Sequence, residues 1–333
     1  MKPIKTLLIS FIAFISLSGC VMSYQVRPLQ VEVMKPGIFV FPKEFGKVAI
    51  FKRDVYKSDT CKFRYLDAEG SRIDSTVRNS VLSNECVDAV ANFLKKEGFF
   101  SEVKNYRDSL NSYLLSDSEK ITTSDLVRKT QSDVFVFLDF YRLNKTVISI
   151  PMNYLNTTAY LSWTIAVKTD NTSFVYNQVD TLEYNGGQLA SFNLEANGYI
   201  PVLKDISRYM GEQFGAKIIP SWIPVERMYY RSNNQDMLRA EKYALQNEWI
   251  KAAEIWNKET KNKNPKIVAK ASYNMALAAE MEGKHDVAID WLVRSYSALK
   301  TSDPEHKANC QRYINVLAMR KKEIERLKKQ VRN

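Results

Sequence analysis

Two hydrophobic periods divide this chain. From about residue 29 to 220 apolar positions alternate or cluster in short runs, and beyond that they recur every three or four residues. Leu29-Gln-Val-Glu-Val33 alternates as a strand does, and Pro36-Gly37 marks a turn before Ile38-Phe39-Val40-Phe41. Lys47-Val-Ala-Ile-Phe51 predicts a compact strand, and residues 57–74 read as a loop carrying Cys61. Leu82, Cys86, Val90 and Phe93 fall at helical spacing, with Gly98 where a left-handed cap belongs, which predicts a helix over 76–97. A strand over 99–106 follows, then a short helix capped by Ser124 and running through Gln131. Val134-Phe-Val-Phe-Leu138 is apolar on both faces, the mark of a strand covered on both sides. The clearest alternation is Ala159, Leu161, Trp163, Ile165 and Val167, followed by turn chemistry at Asp170-Asn171 and a hairpin partner over 174–184. Leu203, Ile206, Met210 and Phe214 predict a second long helix, stopped by Pro220.

Past residue 220 the pattern is helical, and two segments match 35 residues apart: Ala244, Ala253 and Trp256 against Ala279, Ala288 and Trp291. The match resembles tetratricopeptide repeats, in which small residues let paired helices approach, and the resemblance puts Gly283 at the turn between two helices. An offset of one residue gives a competing alignment. After Pro304 a long helix is expected, with Tyr313, Leu317, Ile324 and Leu327 toward the other helices and a basic outer face. The fold class is therefore α+β: a mixed-sheet α/β domain with packed helices at residues 29–220, followed by an all-α domain at 221–333 with a capping helix.

At the amino terminus Lys2 and Lys5 precede an apolar run from Leu7 to Leu17, shorter than the span of about 20 residues that crosses a bilayer. The run stops at Leu17-Ser18-Gly19-Cys20, which resembles a bacterial lipobox. The resemblance implies a signal peptide at residues 1–19, lipid on Cys20, a tether over 20–28 and a membrane as partner through the lipid.

The net charge of +11 would suit a nucleic-acid partner, but the excess is spread out. Its densest run, from Arg320 to Arg332, is interleaved with Glu323 and Glu325 and reads as a solvated helix face. An exported protein also rarely meets nucleic acid, so none is expected as a partner; contact with anionic lipid or cell-wall polymer is the alternative that the basic excess leaves open. Outside the cytoplasm Cys61 and Cys86 could form a disulfide. Alternatively Cys86, on the apolar stripe of its helix, is a buried free thiol; the sequence leaves both open. The two histidines, His285 and His306, both lie in the helical domain, which removes histidine-based acid–base chemistry and ordinary zinc sites from the α/β domain. There is no phosphate-cradling glycine loop and no Gly-x-Ser-x-Gly elbow. Asp139 and Glu183 are a conceivable acid pair, but strand-edge acids are more often solvated. No catalytic residue, metal or cofactor is expected, and the protein reads as something other than an enzyme. Asp-Ser/Thr-apolar triplets at Ser75, Ser109 and Thr181 resemble bacterial O-glycosylation acceptors.

The strand "KVAIF", the long helix after it, "SDVFVFLDF", the hairpin and the late helix together look like the small α/β domain shared by the TolB amino terminus and the curli-secretion lipoprotein. The paired segments of the second domain resemble tetratricopeptide repeats, whose period is about 34. With the lipobox, the whole resembles a group of Bacteroidetes envelope lipoproteins of unknown function, carried by "VMKPGIFVFPKEFGKVAIFKR" and "SDVFVFLDF". The resemblance implies placement and architecture but no reaction. With no catalytic site in the sequence, the leading reading is a lipid-anchored scaffold or adaptor that binds another envelope protein through its helical repeats, its α/β domain being a second docking surface or an oligomerisation module. In that group an acidic stretch after the Cys tends to direct surface display; "CVMSYQVRP" has none, so the periplasmic face of the outer membrane is expected. The alternative is a lipoprotein that binds cell wall or polysaccharide.

Overall fold

A computed structural model describes residues 26–53, 60–66, 72–108, 122–149, 154–192, 199–299 and 303–331. Contacts divide the chain into two compact units. One is Met34–Ile223 with Glu323–Asn333; the other is the chain up to Val33 with Pro224–Lys322. The fold class is α+β.

The first unit is a mixed sheet with helices. Strand β2 (Lys47–Lys52) pairs in parallel with β5 (Glu102–Asn105) on one side and β6 (Val134–Ser149) on the other. β6 pairs antiparallel with β7 (Tyr154–Val167), which pairs antiparallel with β8 (Asp170–Tyr184). The continuous apolar runs have the expected cause, because β2 and β6 are buried on both faces. Val48, Ile50, Val134, Val136 and Leu138 enter the main core, whereas Ala49, Phe51, Phe135 and Phe137 meet Leu126 in a second cluster behind the sheet.

Helix α1 (Asn79–Glu97) supplies Leu82, Cys86 and Val90 to the main core, each fully buried, and ends at Gly98 in the left-handed region with φ 65°. Phe93 only packs against that core, while Leu94 is fully buried. Helix α2 (Thr123–Thr130) carries Leu126. Its cap is Thr122, two residues before the expected Ser124, because Thr122 and Asp125 form a reciprocal capping box. After the one-turn helix α3 (Gly186–Leu189), helix α4 (Ile200–Ile218) buries Leu203, Ile206, Met210 and Phe214 completely. Phe214 stacks on Trp163 of β7 with centroids 4.0 Å apart. The helices α1 and α4 touch at Gly211, where an added Cβ would lie 2.2 Å from the Cys86 carbonyl oxygen.

Two expectations for this unit are corrected, and the choice left open for Cys61 and Cys86 is decided. The segment read as a loop around Cys61 is a hairpin of β3 (Thr60–Leu66) and β4 (Arg72–Arg78), which joins the sheet beside the far end of β6. Its polar and charged side chains hid the pattern, and cross-strand pairing supplies what propensity lacks. The β7–β8 turn is Lys168-Thr169, since Asp170 already pairs with Val167. The disulfide is not formed: Cys61 and Cys86 are both buried free thiols of the main core. Burial pushes the Cys86 thiol far above its ordinary range.

Most of a two-stranded ribbon, β1 (Val26–Lys35) with β9 (Ser221–Tyr230), belongs to the second unit. The sequence reading had no strand after Pro220; β9 tolerates Pro224 because the ribbon gives it an exposed position. Five helices follow: α5 (Gln235–Leu245), α6 (Trp249–Glu259), α7 (Pro265–Met281), α8 (His285–Ala298) and α9 (Pro304–Gln330). Tyr313 and Leu317 of α9 pack into this unit, but the helix end does not. Gln330 donates to the carbonyls of Gly37 (2.8 Å) and Phe39 (2.6 Å). Residues 29–33, 221–223 and 323–333 thus fall in the other unit from the one that the 29–220 and 221–333 division gives them. Among the described residues no helix is long and apolar enough to cross a membrane.

Candidate functional site

The second unit contains two helical hairpins, α5–α6 and α7–α8, and their backbones fix the repeat that the sequence left ambiguous. Each turn has one left-handed residue, Asn247 (φ 60°) and Gly283 (φ 73°), thirty-six positions apart. The following amide closes the turn in both, Glu248 N–H to the Tyr243 carbonyl at 2.9 Å and Lys284 N–H to the Ala279 carbonyl at 2.8 Å. Buried positions follow the same offset: Ala240 with Ala276, Ala252 with Ala288, and Trp256 with Leu292. The one-residue-shifted alignment is the correct one.

This correction moves two residues. Ala288 is a tight contact as expected, fully buried, and Ala244 and Ala279 are buried. Ala253 is only half-buried; the tight position in α6 belongs to its neighbour Ala252. Trp256 is fully buried, but Trp291 is half-exposed, with the Arg294 guanidinium 4.7 Å above its ring.

Ala253 and Trp291 lie instead in a groove of about 390 Å³ formed by α6, α7 and α8. Its floor is small and apolar, with Ala253, Ala278 and Ala279. Ile250, Val287 and Trp291 form its walls, and Glu254, Glu282 and Lys284 its charged rim. Ile250 is 63% exposed and Val287 45% exposed, so apolar surface faces water where a partner could cover it. The volume falls in the range of about 300–1,000 Å³ that holds ligand groups.

Two buried polar pins stiffen the helices behind the groove. Glu280, 5% exposed, accepts from Arg227 Nε (3.2 and 2.9 Å) and Nη2 (2.8 Å) and from the Tyr313 hydroxyl (2.5 Å). These neutralise and satisfy a carboxylate that burial alone would penalise. The second pin centres on Tyr230. Its backbone N–H donates to Asn274 Oδ1 (2.7 Å), and Asn274 Nδ2 returns a bond to its carbonyl (2.8 Å). Asn309 donates to the Tyr230 hydroxyl, whose own proton is left for His306 Nδ1 at 3.0 Å. His306 Nε2 then faces the Ser295 carbonyl at 3.2 Å.

Ser295, His306 and Cys310 are within hydrogen-bonding distance of one another, which by proximity alone suggests a nucleophile and its base. Their environment points elsewhere. His306 is 1% exposed and burial holds its pKa below the ordinary value, while burial pushes the Cys310 thiol up to about 11. Ser295 Oγ is committed to the Ala269 carbonyl. All three side chains are buried and hydrogen-bonded among α7, α8 and α9. Neither pin was foreseen: the sequence shows Tyr230, Asn274 and Glu280 only as isolated polar residues, and only the fold brings them to their partners.

The other candidate residues are dispersed. Asp139 accepts from Arg53 (2.8 Å) and Thr164 (2.5 Å), and Glu183 accepts from Asn156 (3.0 Å), so each acid is tied to a neighbour. Thr181 is exposed on β8, its hydroxyl 3.2 Å from that of Thr158. Cys20, Ser109 and the Ser75 side chain lie outside the described residues. Among the described residues no group of three or more His, Cys, Asp or Glu side chains could hold a metal ion.

No curated protein matches the chain. Several solved structures resemble it. The PelC dodecamer from Paraburkholderia phytofirmans is 8% identical, with 58% of this chain and 97% of that one covered at a TM-score of 0.27. A minor lipoprotein from Acinetobacter baumannii is 10% identical, with 54% and 98% covered at 0.25. Lipoprotein GNA1162 from Neisseria meningitidis is 8% identical, with 50% and 96% covered at 0.25. At these scores the likenesses say nothing about function. The helices at residues 238–319 match a domain of unknown function, DUF6340. Residues 47–230, more than half of the chain, match the model of a second domain of unknown function, DUF8603, and to that family the chain belongs.

Proposed function

We propose that this protein is a lipid-anchored scaffold of the bacterial envelope that captures another envelope protein, without catalysis, through the groove between α6, α7 and α8. The observation that carries this reading is the exposed apolar lining, with Ile250 and Val287 facing water over an alanine floor. Burying such surface against a partner is favourable at about 25 cal/mol per Å². The pins behind it keep the groove preformed, which lowers the ordering cost of binding. On this reading the two hairpins are tetratricopeptide-like units with a spacing of thirty-six, and α9 closes their array. The α/β unit is a TolB-like module, and the chain sits with the Bacteroidetes envelope lipoproteins, on the periplasmic face of the outer membrane.

The test is crosslinked capture from membranes with wild-type protein and with Ala253→Trp, which would fill the groove. Defined protein partners lost on substitution support the reading. Retention on cell-wall glycan with no protein partner would replace it with the polysaccharide-binding alternative. The anchor has its own test: Cys20→Ser should abolish lipid labelling, and digestion of the protein on intact cells would move it to the outer surface.

A further inference from the structure

The groove leaves unused a second concavity of the helical unit, at the α5 end, of about 530 Å³. Arg231, Arg239 and Lys242 line it together with Leu238 and Leu245. Two carboxylates also line it, and both are already engaged. Glu241 accepts from the Tyr229 hydroxyl (2.7 Å) and from Arg231 Nε (3.2 Å), and Asp236 accepts from Arg239 at 2.9 Å. Lys242 is exposed and has no ion pair among the described residues. Leu245 is 56% exposed, an apolar tip among the cations.

The position of this surface follows from the chain. Strand β1 begins at Val26, and Val26 and Leu29 pack against the cluster of Tyr229 and Tyr230 at the end of β9. Arg27 is exposed and close enough to Tyr229 for its charge to act on the phenol. Tyr229 in turn binds Glu241 of α5, so the start of β1 and the basic concavity are neighbours. Only residues 21–25 separate Cys20 from Val26. Whatever their conformation, at no more than about 3.6 Å per residue they hold Val26 within roughly 20 Å of the lipidated residue.

We propose that this end of the helical unit, presenting Arg27, Arg231, Arg239, Lys242 and Leu245, rests on the anionic phosphate headgroups of the membrane that holds the lipid. The inference rests on the lipid-anchor reading. The tether keeps four cations, two of them offset by Glu241 and Asp236, against the surface, so the patch is still net positive. Coulomb attraction to anionic headgroups acts within a screening length of about 8–10 Å. Leu245 then enters the headgroup layer as an apolar wedge. The contact fixes orientation and adds little to attachment, which the lipid already supplies.

The test uses the full lipidated chain on vesicles of phosphatidylethanolamine and phosphatidylglycerol that carry a nitroxide quencher at the headgroup. The cysteines at 61, 86 and 310 are buried, so an introduced thiol takes the dye selectively. Dye at Leu245→Cys should be quenched several-fold more than dye at Val293→Cys, an exposed control on α8. Adding Arg239→Glu and Lys242→Glu should bring the 245 signal down to the control level while vesicle co-sedimentation stays unchanged. Raising salt to about 1 M, where screening falls to about 3 Å, should do the same. Equal quenching at 245 and 293 on a chain whose mass shows the lipid overturns this inference alone. A mass without lipid on Cys20 would instead sink the anchor reading and the tether argument with it.

Discussion

Ala252 and Ala253 are adjacent alanines with opposite roles: the first is sealed between helices, the second floors an open groove. Substituting tryptophan separates the two. Ala288→Trp, at the position equivalent to Ala252, should destabilise the helical unit by about 1–3 kcal/mol, since overpacking forces closely fitted helices apart. Ala253→Trp should change stability by no more than about 0.5 kcal/mol. Urea unfolding followed by circular dichroism distinguishes them, and equal costs would show that the thirty-six-residue alignment is wrong. A second prediction concerns His306. Its folded pKa lies below the ordinary value of 6.5, chiefly through desolvation, so the unfolded chain binds the proton first. Stability from this residue is therefore complete above about pH 6.5 and is lost as pH falls toward the folded value. Protonation would also turn Nδ1 from the acceptor of the Tyr230 hydroxyl proton into a donor facing it. His306→Gln, which cannot titrate, should flatten the dependence of the unfolding midpoint on pH below 6.5; an unchanged slope would place its origin elsewhere.

The hairpin turns and the α1–α4 crossing show how glycine acts at the level of elements. Gly283 is left-handed and a Cβ there would meet nothing within 4 Å, so a substitution is penalised by backbone strain alone. Gly283→Ala should cost about 1–2 kcal/mol. Asn247 shows that the same turn can be made without glycine, because a short polar side chain tolerates the left-handed region. Asn247→Gly should accordingly leave stability unchanged or raise it slightly. Gly211 is the opposite case: it sits inside α4 with ordinary helical backbone and is required for space. Gly211→Ala would press a methyl against the Cys86 carbonyl and the Ala89 side chain, with a cost at the upper end of about 1–3 kcal/mol as α1 and α4 move apart. A comparison of Tm for the three variants checks both mechanisms, and a neutral Gly211→Ala would refute the crowding argument.

For the molecule as a whole, the division into units does not follow the order of the chain. The final residues, Glu323–Asn333, belong with the α/β unit. Within it Gln330, 2% exposed, holds the carbonyls of Gly37 and Phe39, and Arg326 also donates to Gly37. Ending the chain after Lys322 should therefore loosen the 34–53 segment. Unsatisfied buried carbonyls cost about 1–3 kcal/mol. Hydrogen exchange should rise in residues 36–46 and remain unchanged in α6 and α7. Faster exchange in the helices would assign the tail to the wrong unit. With Cys61, Cys86 and Cys310 all buried and free, reducing agent should leave the unfolding midpoint where it is.

What the sequence determined by itself was wherever local pattern and burial agree. β2 and β6 were legible as two-faced strands, β7 by its alternation, α1 by its stripe and the glycine at 98, and α4 by its buried ridge. The existence of the helical hairpins was legible too, since their small residues recur. The β3–β4 hairpin and β9 were not. Polar side chains or an internal proline mask them, and their stability comes from strands far away in sequence. The groove lay one residue away from the expected positions. At a helical period a single-residue offset turns a side chain by about 100°, enough to carry Ala253 from an interface to a surface. The choice between two alignments, the pairing of Glu280 with Arg227 and Tyr313, and the free state of Cys61 and Cys86 all depend on which distant segments meet. Only the tertiary structure decided those, because periodicity fixes the face a residue occupies and packing fixes what that face touches.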